Sequence, residues 1–266
     1  MLRVQLLSPD RLWDILNLCP LRADQEETWE PGDAERYRQG QHRRVGFLAR
    51  KMGEGVRLQV AYVDETVAGF IEYHPVEVTN LELAGQDIVA VWCMLVRDER
   101  RGVGSALLQA CLNDAQAMGR KGVAVTCWDP VWMGRAIFER FGFVEVGPAG
   151  RGGTVLFKPF ADFAKVEPPH WVGRKPEMEL VAGKITVDAY HTDRCPIHWR
   201  NTTLVQEVAR EFGDAILWRE HWTDEREDML HYGTAYGIYV NGEPVAAGPP
   251  VTRERVQQTL YEALLT

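Results

Sequence analysis

Ile88-Val-Ala-Val-Trp-Cys-Met-Leu-Val96 runs into Arg97-Asp-Glu-Arg-Arg-Gly-Val-Gly104, and the reading of this junction decides the fold. The first stretch is a continuous apolar run of strand length, the pattern of a strand buried on both faces. The second is a basic turn carrying two glycines. A helix is expected from Ser105 to Met118, a second buried strand over Gly122-Val-Ala-Val-Thr-Cys127, and then Ala136-Ile-Phe-Glu-Arg-Phe-Gly-Phe143. Strand, glycine-bearing turn and helix start together make an anion site. The first N–H groups of a helix have no intrahelical acceptor and converge on one spot, where the macrodipole adds partial positive charge. Gly102 and Gly104 allow close approach to the backbone, and Arg100 and Arg101 add full charges. The expected anion is a phosphate or diphosphate.

In order and wording these elements resemble the GNAT superfamily of acetyl-coenzyme A-dependent acetyltransferases. The family loop reads Gln/Arg-x-x-Gly-x-Gly/Ala, and Glu99-Arg-Arg-Gly-Val-Gly104 aligns with it at Gly102 and Gly104, with Ala106-Leu107-Leu108 following. It departs at the first position, where Glu99 stands for Gln or Arg. The resemblance covers about the first 160 residues. It implies acetyl-CoA as cosubstrate, held by Arg100, Arg101, Gly102, Val103, Gly104 and Ser105. It also implies that the pantetheine pairs like an extra strand with the backbone of the preceding strand around Trp92, here Met94, Leu95 and Val96.

A chain of 266 residues has room for two modest domains. At 45% hydrophobic and 26% charged residues its composition is that of an ordinary soluble protein, with no apolar run near the roughly 20 residues of a membrane helix. Met1-Leu-Arg-Val-Gln-Leu-Leu7 reads as a first strand rather than a signal peptide, so a cytoplasmic protein with no membrane partner is expected. A net charge of −8 argues against nucleic acid and favours cationic or amine partners. Cys19, Cys93, Cys111, Cys127 and Cys195 form no CxxC pair and no zinc spacing, so free thiols and no metal site are expected.

Lys165-Val-Glu-Pro-Pro-His-Trp-Val-Gly-Arg-Lys-Pro-Glu177 breaks every period and divides the chain. The expected organisation is a GNAT domain over 1–163, a proline-rich linker over 164–182 and a second domain over 183–266. The overall class is α/β (α+β), with a mixed, mostly antiparallel sheet in the first domain. There Pro9 to Leu18 is expected to begin a helix capped by Ser8, and Asp33 to Met52 to form a longer one. Val56 to Val63 and Val67 to His74 are expected to pair as a hairpin. In the second domain the periodicities give the order βαβαββα, with a hairpin at Asn241-Gly242. That order resembles the thioredoxin fold, with Cys195-Pro-Ile-His198 where that family carries its active-site cysteine. The second cysteine of the family's pair is replaced by His198, and Tyr236-Gly-Ile stands where its cis-proline would precede the hairpin.

Acetyl transfer to an amine needs a base, a stabilised oxyanion and an acid for the leaving thiolate. Glu72 and His74 share a face of one strand, and Asp129 lies just past another; these are the base candidates. The family often takes its acid from a Tyr at the position held here by Phe138, which has no proton to give. Cys93 and Cys127 lie on the strands that splay in the family, so a thiol donor or acyl relay falls to Cys93 before Cys127. The catalytic set is therefore Glu72, Cys93 and Asp129. The expected function is an acetyl-CoA-dependent N-acetyltransferase acting on a small amine or a peptide, by direct attack. A homodimer is expected from the family's habit. The competing expectation is a non-catalytic acyl-CoA-binding sensor, with the thiol of Cys195 as its reactive group.

Overall fold

A computed structural model describes residues 1–16, 18, 29–97, 102–130, 132–162 and 165–265 of the chain. Glu99, Arg100, Arg101 and Cys19 lie outside the described residues. The chain forms two compact units, Met1–Cys19 with Leu48–Arg174, and Pro20–Phe47 with Lys175–Thr266. The described residues 29–47 thus belong with the C-terminal residues, although they fall within the 1–163 range.

The strands of the first unit are β1 (Leu2–Leu6), β2 (Arg57–Val63), β3 (Thr66–Pro75), β4 (Leu83–Ala84), β5 (Ile88–Val96), β6 (Gly122–Cys127), β7 (Val144–Ala149), β8 (Gly153–Pro159) and β9 (His170–Trp171). Seven of them form one sheet in the order β1-β2-β3-β5-β6-β8-β7. Every pair is antiparallel except β5 with β6. Parallel neighbours need a crossover, and the expected helix supplies it. Helix α1 is Asp33–Lys51, most of it counted with the second unit, and the crossover helix α2 is Val103–Ala117. A short α3 (Arg135–Arg140) follows β6. The stretch after Ser8 is a 3-10 helix, Pro9–Ile15, and none of its first-turn N–H groups donates to the Ser8 side chain.

Both faces of the sheet are covered. Val89, Val91, Val123 and Val125 pack under α2 with Leu107, Leu108 and Cys111, while Ile88, Ala90, Ala124, Val155 and Phe157 point to the other face. This is why β5 and β6 read as unbroken apolar runs. Tyr73 pins α2 to the sheet: its hydroxyl donates to Asp114 Oδ2 at 2.6 Å, and Arg57 reaches the same carboxylate at 2.9 Å. Past β8 the chain stays tied to this unit. His170 and Trp171 pair with Ala84 and Leu83, and the Trp171 ring meets Trp128 edge-on at 6.1 Å.

The second unit has a four-stranded sheet in the order β11-β10-β12-β13, built from β10 (Ile185–His191), β11 (Ile216–Trp222), β12 (Gly237–Val240) and β13 (Glu243–Ala246). β10 pairs parallel with β11 and antiparallel with β12, and Asn241 and Gly242 turn the last hairpin at positive φ. Helices α4 (Pro196–Arg210), α5 (Arg226–Tyr232) and α6 (Arg253–Leu264) complete the expected order βαβαββα. Leu204, Val205 and Val208 of α4, with Val256 and Leu260 of α6, bury Val187, Ala189 and Ile238.

Within this unit α1 is held to α4 by charge. Asp33, fully buried, accepts from Arg36 at 2.8 Å and from the equally buried Arg200, and Arg36 also reaches Glu207. Gly40 lets the helices close up, because a Cβ there would lie 2.8 Å from the Pro196 backbone. Removing the Asp33 carboxylate would take from the Arg36 and Arg200 guanidinium groups the buried counter-charge they share. Asp33→Ala is expected to cost about 3–5 kcal/mol of stability, read by denaturant unfolding.

His191 is 2% exposed at its side chain, lies 4.0 Å from the Trp222 ring, and neither of its nitrogens has a hydrogen-bond partner among the described residues. Burial pushes its pKa from 6.5 down to about 4, against the pull of Glu220. The unfolded chain therefore takes up this proton first, and stability is lost as pH falls from 6.5 toward 4. His191→Phe is expected to flatten that part of the stability–pH curve, measured by thermal unfolding across the window.

Candidate active site

The site begins where β5 and β6 stop pairing. Their register runs from Ile88↔Gly122 to Val91↔Val125 and ends there, yet β5 continues to Val96 and β6 to Cys127. Among the described residues, each continuation keeps only its outer neighbour. β5 stays on β3 up to Gly69↔Val96, and β6 stays on β8 up to Cys127↔Thr154. The two strands thus fork in the middle of the sheet. A bulge marks the fork, because Tyr73 pairs with Val91 and Glu72 with Cys93, which leaves Trp92 as the extra residue. Trp92, Met94, Leu95 and Val96 are all half-buried although β5 is a central strand. Met94, Leu95 and Val96 lie beyond the last β5–β6 pairing, on the edge where an extended ligand would add as a strand.

Gly102 and Gly104 stand at the start of α2, close to the end of β5. Gly102 caps the helix at φ +70°, a conformation that favours glycine, and the first intrahelical bond runs from the Ala106 N–H to the Gly102 carbonyl at 3.0 Å. The N–H groups of Val103, Gly104 and Ser105 precede that bond and point out of the helix. A Cβ on Gly104 would lie 3.0 Å from Ile137 Cδ1 and 3.5 Å from Val96 Cγ2. A Cβ is thus already in tight contact there, so the position favours glycine. The helix start, the glycines and the end of β5 are therefore together.

Of the three catalytic candidates, the sheet brings two together. Glu72 and Cys93 are direct cross-strand partners on one face, fully and almost fully buried. His74 shares that face, with its Nε2 3.0 Å from Glu72 Oε1. Glu72 and His74 are thus a buried carboxylate–imidazole pair, not groups at a solvated strand end. The signal was present: Ala68-Gly-Phe-Ile-Glu-Tyr-His-Pro75 lacks the alternation of a half-exposed strand, and every residue from Ala68 to Pro75 is buried. Asp129 is exposed, on the turn after β6.

Cys127 faces the opposite side, in the core under α2 and α3. Burial pushes its thiol up to about 12, so it is protonated at neutral pH. Phe138 is fully buried beside it and packs edge-on against Phe143 at 5.4 Å. It is a packing residue, and its site offers no proton. In the second unit Cys195 is the half-buried N-cap of α4, and the His198 ring stacks on Tyr236 at 3.6 Å. Among the described residues no group of three or more His, Cys, Asp or Glu is placed to hold a metal ion, and no helix is long and apolar enough to cross a membrane.

The model of the Acetyltransferase (GNAT) family matches residues 10–143. Among solved structures, the chain is similar to a PaiA N-acetyltransferase from Thermoplasma acidophilum in complex with coenzyme A, at 13% identity and a TM-score of 0.47, covering 60% of this chain and 99% of that one. It is also similar to an N-acetyltransferase from Staphylococcus aureus Mu50, at 14% identity and a TM-score of 0.45, covering 60% and 98%. A GNAT family acetyltransferase from Brucella melitensis in complex with acetyl-CoA is similar at 13% identity and a TM-score of 0.41, covering 63% and 92%. No curated protein matches the chain in sequence. With the family model spanning half of its length, and a glycine-started helix set at a fork in its sheet, the chain belongs to the GNAT acetyltransferase family.

Proposed function

We propose that the chain is an acetyl-CoA-dependent N-acetyltransferase that acts on an amine of a small molecule or peptide by direct attack. The observation that carries this reading is the fork between β5 and β6, with the open N-terminus of α2 at the end of β5. The N–H groups of Val103, Gly104 and Ser105, with Arg100 and Arg101 from the preceding loop, hold the diphosphate. Backbone groups of Met94, Leu95 and Val96 pair with the pantetheine, which sets the thioester in the fork near Cys93. Bound there, acetyl-CoA supplies an activated acyl group.

Glu72 takes the proton that the attacking amine must lose, with His74 fixing its carboxylate. Exposed Asp129 is left to steer a cationic acceptor toward the fork. With Phe138 in the core, the leaving thiolate takes its proton from water. That same burial of Phe138 is the one observation favouring the acyl-CoA sensor, which binds without turnover. In the C-terminal unit, strand order and the placing of Cys195 support a thioredoxin-like domain. Among the described residues no disulfide joins Cys93, Cys111, Cys127 and Cys195 to one another, which fits a reducing compartment, the cytoplasm.

Calorimetric titration of acetyl-CoA tests the cradle. Gly104→Glu places a carboxylate where the diphosphate sits and is expected to weaken binding at least about 100-fold, with the melting temperature near that of the wild type. Turnover is tested with a panel of amines, read by release of coenzyme A thiol. Glu72→Gln is expected to keep acetyl-CoA affinity and lower kcat by about 100-fold. Binding without thiol release across the panel would establish the sensor instead.

A further inference from the structure

Three cysteines of the first unit lie on or under its sheet, and they differ in what faces them. Cys111 sits on α2 and is completely buried; burial and then Asp114 hold its thiol well above the usual range. Cys127 looks into the same apolar core, among Met133 and Phe138. Cys93 is on the opposite face. It stands directly across from Glu72, and His74, two residues further along β3, shares that face and contacts the Glu72 carboxylate. Directly opposed residues of an antiparallel pair have Cβ atoms about 5 Å apart, within reach of a glutamate side chain. Among the described cysteines of this unit, Cys93 alone shares a sheet face with a buried acid–base pair.

Its place along β5 is equally specific. Val91 makes the last pairing with β6, Trp92 is the bulged residue, and Cys93 comes next, at the opening of the fork. A nucleophile, a base and a group orienting that base therefore sit in cross-strand register beside the edge where a thioester would lie. The inference rests on acetyl-CoA occupying that fork.

We propose that Cys93 is a self-acetylation site, loaded from bound acetyl-CoA when no amine is present. The Glu72–His74 pair takes the thiol proton, and the Cys93 sulfur attacks the acetyl carbonyl carbon. A new carbon–sulfur bond forms to Cys93 as the one to coenzyme A breaks, and the pair returns its proton to the departing thiolate. One thioester is exchanged for another, so no oxidant, reductant or further reactant is needed. The reaction is close to thermoneutral and is driven by excess acetyl-CoA. The acetyl group on Cys93 then stands in front of Glu72, the position an acceptor amine would need, and attack by such an amine on this thioester restores the free thiol.

The test is intact-mass measurement of the full chain incubated with acetyl-CoA alone, followed by peptide mapping, with acetyl-CoA affinity measured calorimetrically on the same samples. Wild type is expected to gain one acetyl group, on the peptide carrying Cys93, removable by neutral hydroxylamine as a thioester is. Cys93→Ala is expected to bind acetyl-CoA and gain none, and Glu72→Gln to load about 100-fold more slowly. Wild type that binds acetyl-CoA yet gains no acetyl group, or an adduct that persists in Cys93→Ala, overturns the proposal. Amine-dependent thiol release, read separately, then still decides the transferase reading. Failure of wild type to bind acetyl-CoA overturns both.

Discussion

One parallel pair in an otherwise antiparallel sheet sets the layout of the first unit. Antiparallel neighbours can be joined by a short turn, as β2 and β3 are through Asp64 and Glu65 at positive φ. β5 and β6 cannot, because the chain must return to the same end of the sheet before it starts β6. The return is α2, and its N-terminus necessarily lies at the end where β5 finishes. The positive end of a helix, the least paired part of a central strand and the glycines of the turn are brought together by topology before any side chain is chosen. Had β5 and β6 paired along their whole length, the same helix would face a closed sheet edge. The fork is what turns a crossover into a site.

The fork also explains why the chemistry falls on one face. Past Val91 the strand pairing β5 among the described residues is β3, so what lies across β3 is what a ligand in the fork meets. The register gives Glu72 opposite Cys93. The bulge at Trp92 matters here, since an extra residue in β5 reverses the facing of everything after it. Without it, Cys93 would point under α2, in the company of Cys127, and Glu72 would be opposite Trp92. A one-residue irregularity thus decides whether the thiol shares its face with a base or with the hydrophobic core.

Much of this is legible in the sequence, and the division between legible and illegible is physical. The buried strands, the crossover helix and its glycine cap follow from local pattern, because an apolar run and an αL glycine are properties of a few consecutive residues. Phe138 was also readable, since a phenyl ring has no proton to give wherever it lies. The bulge at Trp92 was not, because register depends on pairing between strands rather than on either strand alone. The burial of Glu72 needed the observation that β3 is apolar on both faces, which a residue-by-residue view of charged side chains obscures. The affiliation of residues 29–47 was hidden for a similar reason: the tie from Asp33 to Arg200 joins positions 167 apart in the chain.

That tie helps to specify the packing of the C-terminal unit. A fully buried pair of opposite charges is weak as net stabilisation, because desolvation offsets most of the attraction. It is strong as a register device, since any sliding of α1 along α4 separates charges that have no water to turn to. Gly40 works in the same direction by another route, as it permits contact at one height along the helix and a bulkier residue there would collide with the Pro196 backbone. Pro196 opens α4 directly after Cys195, so the elements that fix α1 also fix the helix start on which that cysteine is the cap. The placement of Cys195 in this unit is therefore set by packing and charge on α1, a segment that precedes the strands of this sheet by more than a hundred positions.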